Sequence, residues 1–456
     1  MKQFDFNKRK SFIVSIFLLG FISNEAIAAK LTSTNPPLHK ADAVDDSSHR
    51  EGTGSHISSN PAAVETAPGS GAAQQYIEKL LGIKNDHGFK FSGVWLGDGD
   101  QLFSNGIPNS ERLTGNSLLL LNATWDPKAL LTQWKGGLFD VELLQLNAQD
   151  TNGQAGAVQG YNSLPGPPPL NRFEVYQLWY RQNLLEDKLV IRVGKMVPTI
   201  DFNNVVKPVP LDEQKLFIPA ITGLIYTPIF INPSMLGTVP GYYNSAYGAT
   251  LSLLPVKNTY LTYGIYDGNL AQGKQTGLEG PHFNGHYIQL GEAGVAWLLH
   301  NLPGTIAVGA WHQTGLISSP PSTLSENEAS GLYSFGAQRL WYKDTSQNNN
   351  GISCFYQFGI NNSNVMPMTQ YVGFGLTAFG LVPHRDEDSF GVGTAISWLN
   401  QTIFTQRTES MYQIYYQAKV VKDIYLEPVL SYIPDPGAAP NLPPAWAGTM
   451  RAVVLF

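Results

Sequence analysis

Histidine and aspartate pairs are the residues of this sequence whose spacing could bind a metal ion. His282 and His286 are four residues apart, a separation that brings two imidazoles to one face of a helix. The residues between and around them are turn-forming, which favours a loop over a helical zinc site. Asp98 and Asp100 match the start of a calcium loop, but Leu102 stands where that loop needs an oxygen ligand. We therefore expect neither a metal site nor a cofactor.

Sequence motifs for catalysis are missing as well. The sequence contains no Gly-x-Ser-x-Gly elbow, no His-Glu-x-x-His pair and no phosphate-binding P-loop. The glycines of Gly373–Ala378 resemble a dinucleotide fingerprint only in spelling, because a strand-like context surrounds them. Two of the many carboxylates could serve a secreted glycoside hydrolase, which stays an alternative. The interpretation we favour is that the chain is not an enzyme.

Charged side chains that alternate with apolar ones suggest a different role, contact with a polar solute along a strand-built wall. Phe139, Val141 and Leu143 share one face of an extended segment, which leaves Asp140 and Glu142 on the other. In segment 172–182 we assign to the interior the set Arg172, Glu174, Tyr176, Tyr180 and Gln182, and to the outside the set Phe173, Val175, Gln177, Trp179 and Arg181. The same alternation adds the interior residues Arg192, Glu427 and Arg451. For each residue alone, a salt-bridge ladder on a wet wall is the alternative.

The composition of the chain differs from that of ordinary soluble domains. Charged residues make up 14% of the chain, against about 25% in ordinary soluble domains, while aromatics reach 11%. A net charge of -6 without a long basic run argues against a nucleic-acid partner. Hydrophobic residues at 43% argue against a wholly disordered chain, and the single cysteine, Cys354, excludes an internal disulfide.

The first 88 residues read as three short regions. Residues 1–28 combine a positive start, an apolar stretch from Phe12 to Ile22 and the small-residue site Ala26-Ile27-Ala28, which together predict a signal peptide. Residues 29–73 are rich in Ser, Pro, Gly and Thr and predict a flexible periplasmic tail. Residues 74–88 predict a short helix over 74–81 and a linker.

Beyond residue 88 the hydrophobic period changes to two, the period of β-strands. Tyr412, Ile414 and Tyr416 alternate with Gln413 and Gln417, for example. Sixteen such runs are predicted to start near Lys90, Ser117, Gly137, Arg172, Lys188, Ser245, Asn258, His286, Gly304, Leu332, Gly351, Thr369, Asp388, Glu409, Ile424 and Trp446. Residues 89–456 are therefore predicted to form one all-β unit.

A closed transmembrane barrel is the fold that this strand pattern favours. In lipid every backbone polar group needs a protein partner, and a sheet achieves that only by closing on itself. Tyr and Trp near predicted strand ends, namely Trp95, Trp125, Trp311, Trp341 and Trp398, suit the interface between bilayer and water. We predict an antiparallel transmembrane β-barrel of about 16 strands, wide enough for an aqueous channel. A soluble β-sandwich, a β-helix and a non-conducting barrel serving as adhesin or scaffold are the alternatives.

The segment Asp201–Asn244 cannot be one strand because it contains six prolines among apolar clusters such as Ile229-Phe230-Ile231. A connection with this many apolar side chains has to be buried away from water. The inside of the barrel is a candidate place for it.

Several segments occur in a set order along the chain: Arg172–Gln182, Leu189–Lys195, His384–Gly393, Glu409 with the strand that follows it, Tyr432–Gly437 and Arg451–Phe456. This ordered set resembles the OprB-type carbohydrate-selective porins of Gram-negative outer membranes, over roughly residues 88–456. The tail 29–73 lies outside the resemblance, and Asp201–Asn244 follows the family pattern poorly.

The resemblance implies a sixteen-stranded outer-membrane barrel for passive diffusion of glucose and other mono- and oligosaccharides, with charged and aromatic side chains at a constriction. Lys195 joins the candidate path residues on this ground. A sugar offers hydroxyls and apolar ring faces, so paired donors and acceptors beside aromatic rings suit it. Outer-membrane lipid is the other expected partner. Both a homotrimer and a monomer fit the sequence.

Overall fold

Sixteen β-strands make up most of the described chain in the computed structural model. The structure describes residues 87–104, 106–108, 110, 112–166, 169–205, 223–236, 244–268, 278–319, 321–343 and 350–455. The strands are β1 (Phe89–Ser104), β2 (Leu113–Trp125), β3 (Gly137–Asn147), β4 (Asn171–Leu184), β5 (Leu189–Met196), β6 (Ala246–Leu253), β7 (Thr259–Asp267), β8 (Tyr287–Leu299), β9 (Leu302–Ile317), β10 (Glu326–Tyr342), β11 (Gly351–Asn361), β12 (Met368–Phe379), β13 (Ser389–Leu399), β14 (Thr408–Val421), β15 (Ile424–Ile433) and β16 (Ala445–Leu455).

Helices are few and short. The described residues form α1 (Thr151–Ala155), α2 (Pro198–Asp201) and single 3-10 turns at Pro127–Ala129, Thr227–Ile229 and Pro233–Met235. Within the described part of the chain, no helix has the length and hydrophobicity needed to cross a membrane. The predicted signal peptide, tail and helix 74–81 lie outside the described residues.

The strands form one closed antiparallel barrel. Each strand pairs with the next along the chain, and β1 pairs with β16, so no sheet edge is left open. The closing register places Asp98 opposite Arg451 and Gly97 opposite Ala452. The predicted fold class, an antiparallel barrel of about 16 strands, is confirmed.

Strand positions also agree closely with the sequence pattern. For fourteen strands the predicted start lies within two residues of the observed one. β2 begins four residues before Ser117 and β10 six residues before Leu332. Their early residues are mostly polar or glycine, so hydrophobic alternation did not mark them although their backbones continue the ladder.

The two faces of the wall differ as the alternation predicts. On β13, Phe390 and Val392 are exposed on the outside, whereas Gly391, Gly393 and Ala395 are buried on the inside. β14 and β15 show the same contrast. Apolar side chains therefore cover the outside of the barrel, and small or polar ones line much of its inside.

The barrel has two unlike rims. The connections after β4, β8 and β14 span residues 185–188, 300–301 and 422–423, and we call this rim the turn end. The opposite rim, the loop end, carries the longer connections after β3 and β5, residues 148–170 and 197–245. β1 begins and β16 ends at the turn end.

Tryptophan positions agree only partly with the prediction for strand ends. Trp125, Trp341 and Trp398 lie within one residue of the end of a strand. Trp95 lies in the middle of β1, and Trp311 is 2% exposed on the inner face of β9. The prediction for Trp311 is therefore wrong, because the sequence does not distinguish an aromatic residue that faces the packed interior from one at the membrane interface.

Candidate functional site

The connection between β3 and β4 lies inside the barrel. Asn162 donates from Nδ2 to Oδ2 of Asp98 at 2.9 Å and to Oδ1 of Asp100 at 2.8 Å, both on the inner face of β1. Gln159 accepts a 2.7 Å hydrogen bond from Ser397 of β13, four strands from β1 around the barrel. Glu409 of β14 accepts hydrogen bonds from the backbone N–H groups of residues 158 and 159. This connection therefore fills part of the interior near the loop end.

The connection between β5 and β6 folds inward as well. The backbone N–H of Asn203 donates to Oε2 of Glu292 on β8 at 2.7 Å, and that of Ile225 donates to Oε1 of Gln413 on β14 at 2.7 Å. Further along, Asn232 donates to the carbonyl oxygen of Phe358 on β11 at 2.9 Å. The described residues of this segment, 201–205, 223–236 and 244, therefore contact the inner wall, the candidate place that its apolar character indicated.

Small residues on the wall make room for this inner segment. A Cβ placed on Gly359 of β11 would lie 2.3 Å from Oδ1 of Asn232. One placed on Gly393 of β13 would lie 2.7 Å from the hydroxyl oxygen of Tyr226. Both distances are below any that real Cβ atoms show, so the glycines set how close the segment comes to the wall.

A buried charge cluster lies where β1 meets β16. Arg451 donates to both carboxylate oxygens of Asp98, from Nε at 2.8 Å and from Nη2 at 2.7 Å. Asp100 accepts hydrogen bonds from Asn116 and Asn162 at 2.7 Å and 2.8 Å. Burial, together with Asp100 and Asp98, raises the pKa of the nearby Tyr161 hydroxyl well above its ordinary value. Tyr161 therefore stays neutral and adds no charge to the cluster.

A second group of charges lies on the inner faces of β4 and β5. Nη1 of Arg172 and Nζ of Lys195 each lie 3.5 Å from a different carboxylate oxygen of Glu174. Arg172 also donates to Asn244 at 3.0 Å, and Lys195 donates to the carbonyl oxygen of Val175 at 2.6 Å. All three charged side chains are nearly inaccessible to solvent. The pairing keeps their net field small.

The neighbouring strands continue this polar wall. Asp140 and Glu142 are both 3% exposed on the inner face of β3. Asp140 accepts a 2.6 Å hydrogen bond from Asn122, and Glu142 accepts one of 2.6 Å from Gln177. Both carboxylates lie on the inward parity of β3, the one that the alternation predicts.

An arginine stacks on an aromatic ring further along the same wall. The guanidinium of Arg192 on β5 lies 4.9 Å from the ring centre of Trp179 on β4, and it forms an ion pair with Asp201 of α2. Tyr266 donates its hydroxyl hydrogen to Asp201 at 3.2 Å. This places a cation, an aromatic face and a carboxylate side by side, a combination that suits a ring with hydroxyl groups.

The inner and outer faces of β4 exchange within the strand, which corrects part of the prediction. Val175 pairs with Leu143 and Gln177 with Glu142, so Tyr176 is an extra residue, a β-bulge. Arg172, Glu174 and Tyr176 face inward as predicted, but after the bulge the inward residues are Gln177, Trp179 and Arg181. The assignment of Tyr180 and Gln182 to the interior is wrong: the ring centre of Tyr180 lies 4.7 Å from that of Phe139 on the outside, and Gln182 shares its face.

The remaining predicted residues lie on β15 and β16, on the other side of the β1–β16 pairing from β3–β5. Glu427 on β15 is buried and accepts a 2.8 Å hydrogen bond from Gln417 of β14. Arg451 faces inward, as described above. The predicted residues therefore form two groups in the structure, one on β3–β5 and one on β15–β16. The β3–β4 connection contacts β1 and β14.

Some inward polar residues were not recognised in the sequence. The spacing of Asp98 and Asp100 suggests calcium ligands, but both share one parity of β1 with Leu96 and face the inner wall. Glu409 shares the inward parity of Gln413 and Gln417, but the sequence does not reveal its partners in the β3–β4 connection. Glu292 carries no such signal, because its partner comes from a connection distant in sequence. Among the described residues, no three His, Cys, Asp or Glu side chains form a metal site.

The interior is more open toward the turn end. Lys90 and Ser92 of β1, Asn122 and Thr124 of β2 and Arg181 of β4 all have inward parity, yet each is partly or fully exposed. The inward residues nearer the loop end are mostly buried under the two inner connections. Water can therefore reach these inward side chains from the turn end.

A closed sixteen-stranded barrel with an apolar outside, a polar inside and inward-folded connections defines a porin-type channel. A model of the carbohydrate-selective porin family OprB matches residues 114–456. No curated protein sequence matches the chain.

Solved structures share the fold. The high-pH structure of Pseudomonas putida OprB is 17% identical, with a TM-score of 0.70 over 85% of this chain and 97% of that chain. The low-pH structure of the same protein is 15% identical, with a TM-score of 0.53 over the same shares. On the family match, the chain belongs to the OprB family of carbohydrate-selective porins. It is an outer-membrane porin for passive diffusion of sugars, a channel rather than an enzyme.

Proposed function

We propose that mono- and oligosaccharides such as glucose cross this barrel along the wall built by β3, β4 and β5. The observation that carries the proposal is the ion-paired group of Arg172, Glu174 and Lys195, which continues toward Asp140 and Glu142 on β3. These side chains are nearly inaccessible to solvent and pair with one another, so they hold this wall in place with little net charge, which suits passage of an uncharged solute.

The cation and ring at Arg192 and Trp179 support the same path. A sugar ring has a weakly apolar face that packs on an aromatic surface, while its hydroxyls bond to charged neighbours. Tyr176 lies on the same strand and is buried at the bulge. We assign it to the path with them.

Glu427 and Arg451 have a supporting role in the proposal. Arg451 holds the β3–β4 connection through Asn162 at 3.1 Å, and Glu427 holds β14 to β15 through Gln417. Both keep the inner connections and the wall in place and so set the width of the path.

Binding along the path has to be weak for release. A dissociation constant near 1 mM, about −4 kcal/mol, allows entry and exit. Transport is then passive, and selectivity comes from width and hydrogen bonding rather than from a tight site.

Single-channel conductance tests the proposal. In planar bilayers, we expect glucose titration to lower the ion current in a saturable manner, with a midpoint in the millimolar range. The double variant Arg172→Gln/Glu174→Gln keeps the net charge and should weaken glucose block more than it changes the open current. A current that glucose does not alter at any concentration would contradict the proposed path.

The assembly state is part of the same test. One barrel contains the complete path, so a monomer and a homotrimer both agree with it. Chemical cross-linking in outer-membrane vesicles, compared with the size of current steps, distinguishes one conducting unit from three.

A further inference from the structure

The β2–β3 turn, residues 126–136, carries exposed apolar side chains at the turn end. It is longer than every other fully described connection at this rim. Leu130 is 54% exposed and Leu131 is 50% exposed, outside any strand. Two adjacent leucines left in water would be unfavourable, which raises the question of what covers them.

The turn has a defined shape. Asp126 accepts a 2.9 Å hydrogen bond at Oδ1 from the backbone N–H of Lys128. The backbone N–H groups of Leu131 and Trp134 donate to the carbonyl oxygens of Pro127 and Leu131 at 2.8 Å and 2.7 Å. The leucines are therefore presented by a folded turn.

Trp134 fixes the turn against the outside of the wall. Its ring centre lies 5.8 Å from that of Phe139 and 6.1 Å from that of Tyr180, and its Nε1 donates to the hydroxyl oxygen of Tyr180 at 2.8 Å. Phe139 and Tyr180 both face outward. The turn is thus continuous with the lipid-facing surface.

A row of neighbouring aromatic rings marks the level of this contact. Phe89, Trp125, Phe139 and Tyr180 follow one another on β1 to β4 with ring centres 5.9, 5.4 and 4.7 Å apart. Aromatic rows of this kind lie at the boundary between hydrocarbon and headgroups. The β2–β3 turn extends past this row toward the turn end, which is the periplasmic side because short turns face the periplasm in such barrels.

The charges of the turn indicate which headgroups fit. Lys128 and Lys135 are exposed on either side of the leucines, and the turn's one acidic residue, Asp126, already caps the Lys128 N–H. Lysines beside apolar side chains at a membrane surface attract anionic lipids. A second copy of the chain is a poorer fit, since interfaces between proteins are depleted of lysine at their centre.

We propose that the β2–β3 turn docks on anionic phospholipid headgroups of the periplasmic leaflet, with Leu130 and Leu131 inserted and Lys128 and Lys135 on the phosphates. The surface lies outside the bore and does not depend on the proposed sugar path.

A single-cysteine fluorescence experiment tests this docking. Cys354→Ser removes the native thiol, and Leu131→Cys then carries a bimane dye in the full chain reconstituted into vesicles. Glu328→Cys, exposed at the loop end, is the matched control. In phosphatidylcholine with phosphatidylglycerol, we expect acrylamide to quench the dye at position 131 about fivefold less than at position 328.

The second comparison varies the lysines of the turn and the charge of the lipid. Either Lys128→Gln/Lys135→Gln or vesicles of phosphatidylcholine alone should raise quenching at position 131 about twofold. Equal quenching at both positions would place the turn in water and overturn the proposal. If the dye at position 131 stays protected from quenching after the lysine substitutions and in uncharged lipid, headgroup recognition would be overturned. Disulfide dimers through position 131 would make a second copy the occupant and overturn it as well.

Discussion

Arg451 and Asp98 form a bidentate ion pair that joins the last strand of the barrel to the first. The two residues are direct register partners of β16 and β1, and the two N–O distances are 2.8 Å and 2.7 Å. Both side chains are fully buried. Because these are the first and last strands of the barrel, the pair lies at the point where its closure is completed.

Breaking this pair should destabilise the barrel. Arg451→Met leaves the Asp98 carboxylate buried without its partner, for which we expect a loss of about 3–5 kcal/mol in unfolding free energy. Urea unfolding in lipid vesicles, followed by the heat-modifiable gel shift, measures it. Asp98→Leu/Arg451→Met should recover most of the loss. The exposed pair of Lys343 and Asp386 is the control, where Lys343→Gln should cost under about 1 kcal/mol.

Glu409 should anchor the β3–β4 connection. Its carboxylate accepts hydrogen bonds from the backbone N–H groups of Val158, Gln159 and Gly437 at 2.9, 2.9 and 2.7 Å. An amide cannot accept as many, so Glu409→Gln should weaken the anchor by about 1–3 kcal/mol. Hydrogen exchange at residues 158 and 159 should rise while exchange in β8 stays unchanged. Unaltered protection at both amides would contradict the anchoring role; exposed Glu328→Gln is the control.

Gly359 should control how the inner segment seats on the wall. Gly359→Leu pushes a side chain into Asn232 and Ser234, since a Cβ at position 359 would lie 2.3 Å from a side-chain oxygen of each. We expect the segment to shift and the open-channel conductance to change. Gly291→Leu is the matched control, because a Cβ there meets no atom within 4 Å. Equal conductance in both variants would show that the segment does not shape the path.

The bulge at Tyr176 predicts opposite accessibility for two adjacent residues. In a Cys354→Ser background, Arg181→Cys should react with a charged, water-soluble thiol reagent and change the current, because position 181 faces the bore. Tyr180→Cys should leave the current unchanged, since position 180 faces outward beside Phe139. The reverse pattern of reactivity would restore the uninterrupted alternation and contradict the bulge.

The sequence alone determined the fold class, the strand count and most strand positions. An alternating period of two is a local property, and apolar side chains on one parity need no distant partner to reveal which face they cover. The inward direction of Asp140, Glu142, Arg192 and Glu427 could be read in this way. The order of segments along the chain also sufficed to suggest the family.

Tertiary structure decided what lies inside the barrel. The bulge at Tyr176 exchanges the inward and outward faces of β4. A single extra residue in the pairing of two strands leaves no reliable signal in the sequence of either strand. The contacts of Asn162 with Asp98 and of Ile225 with Gln413 join residues far apart in the chain. Such contacts depend on closure of the whole barrel, which brings β1, β14 and the inner connections together only in the folded state.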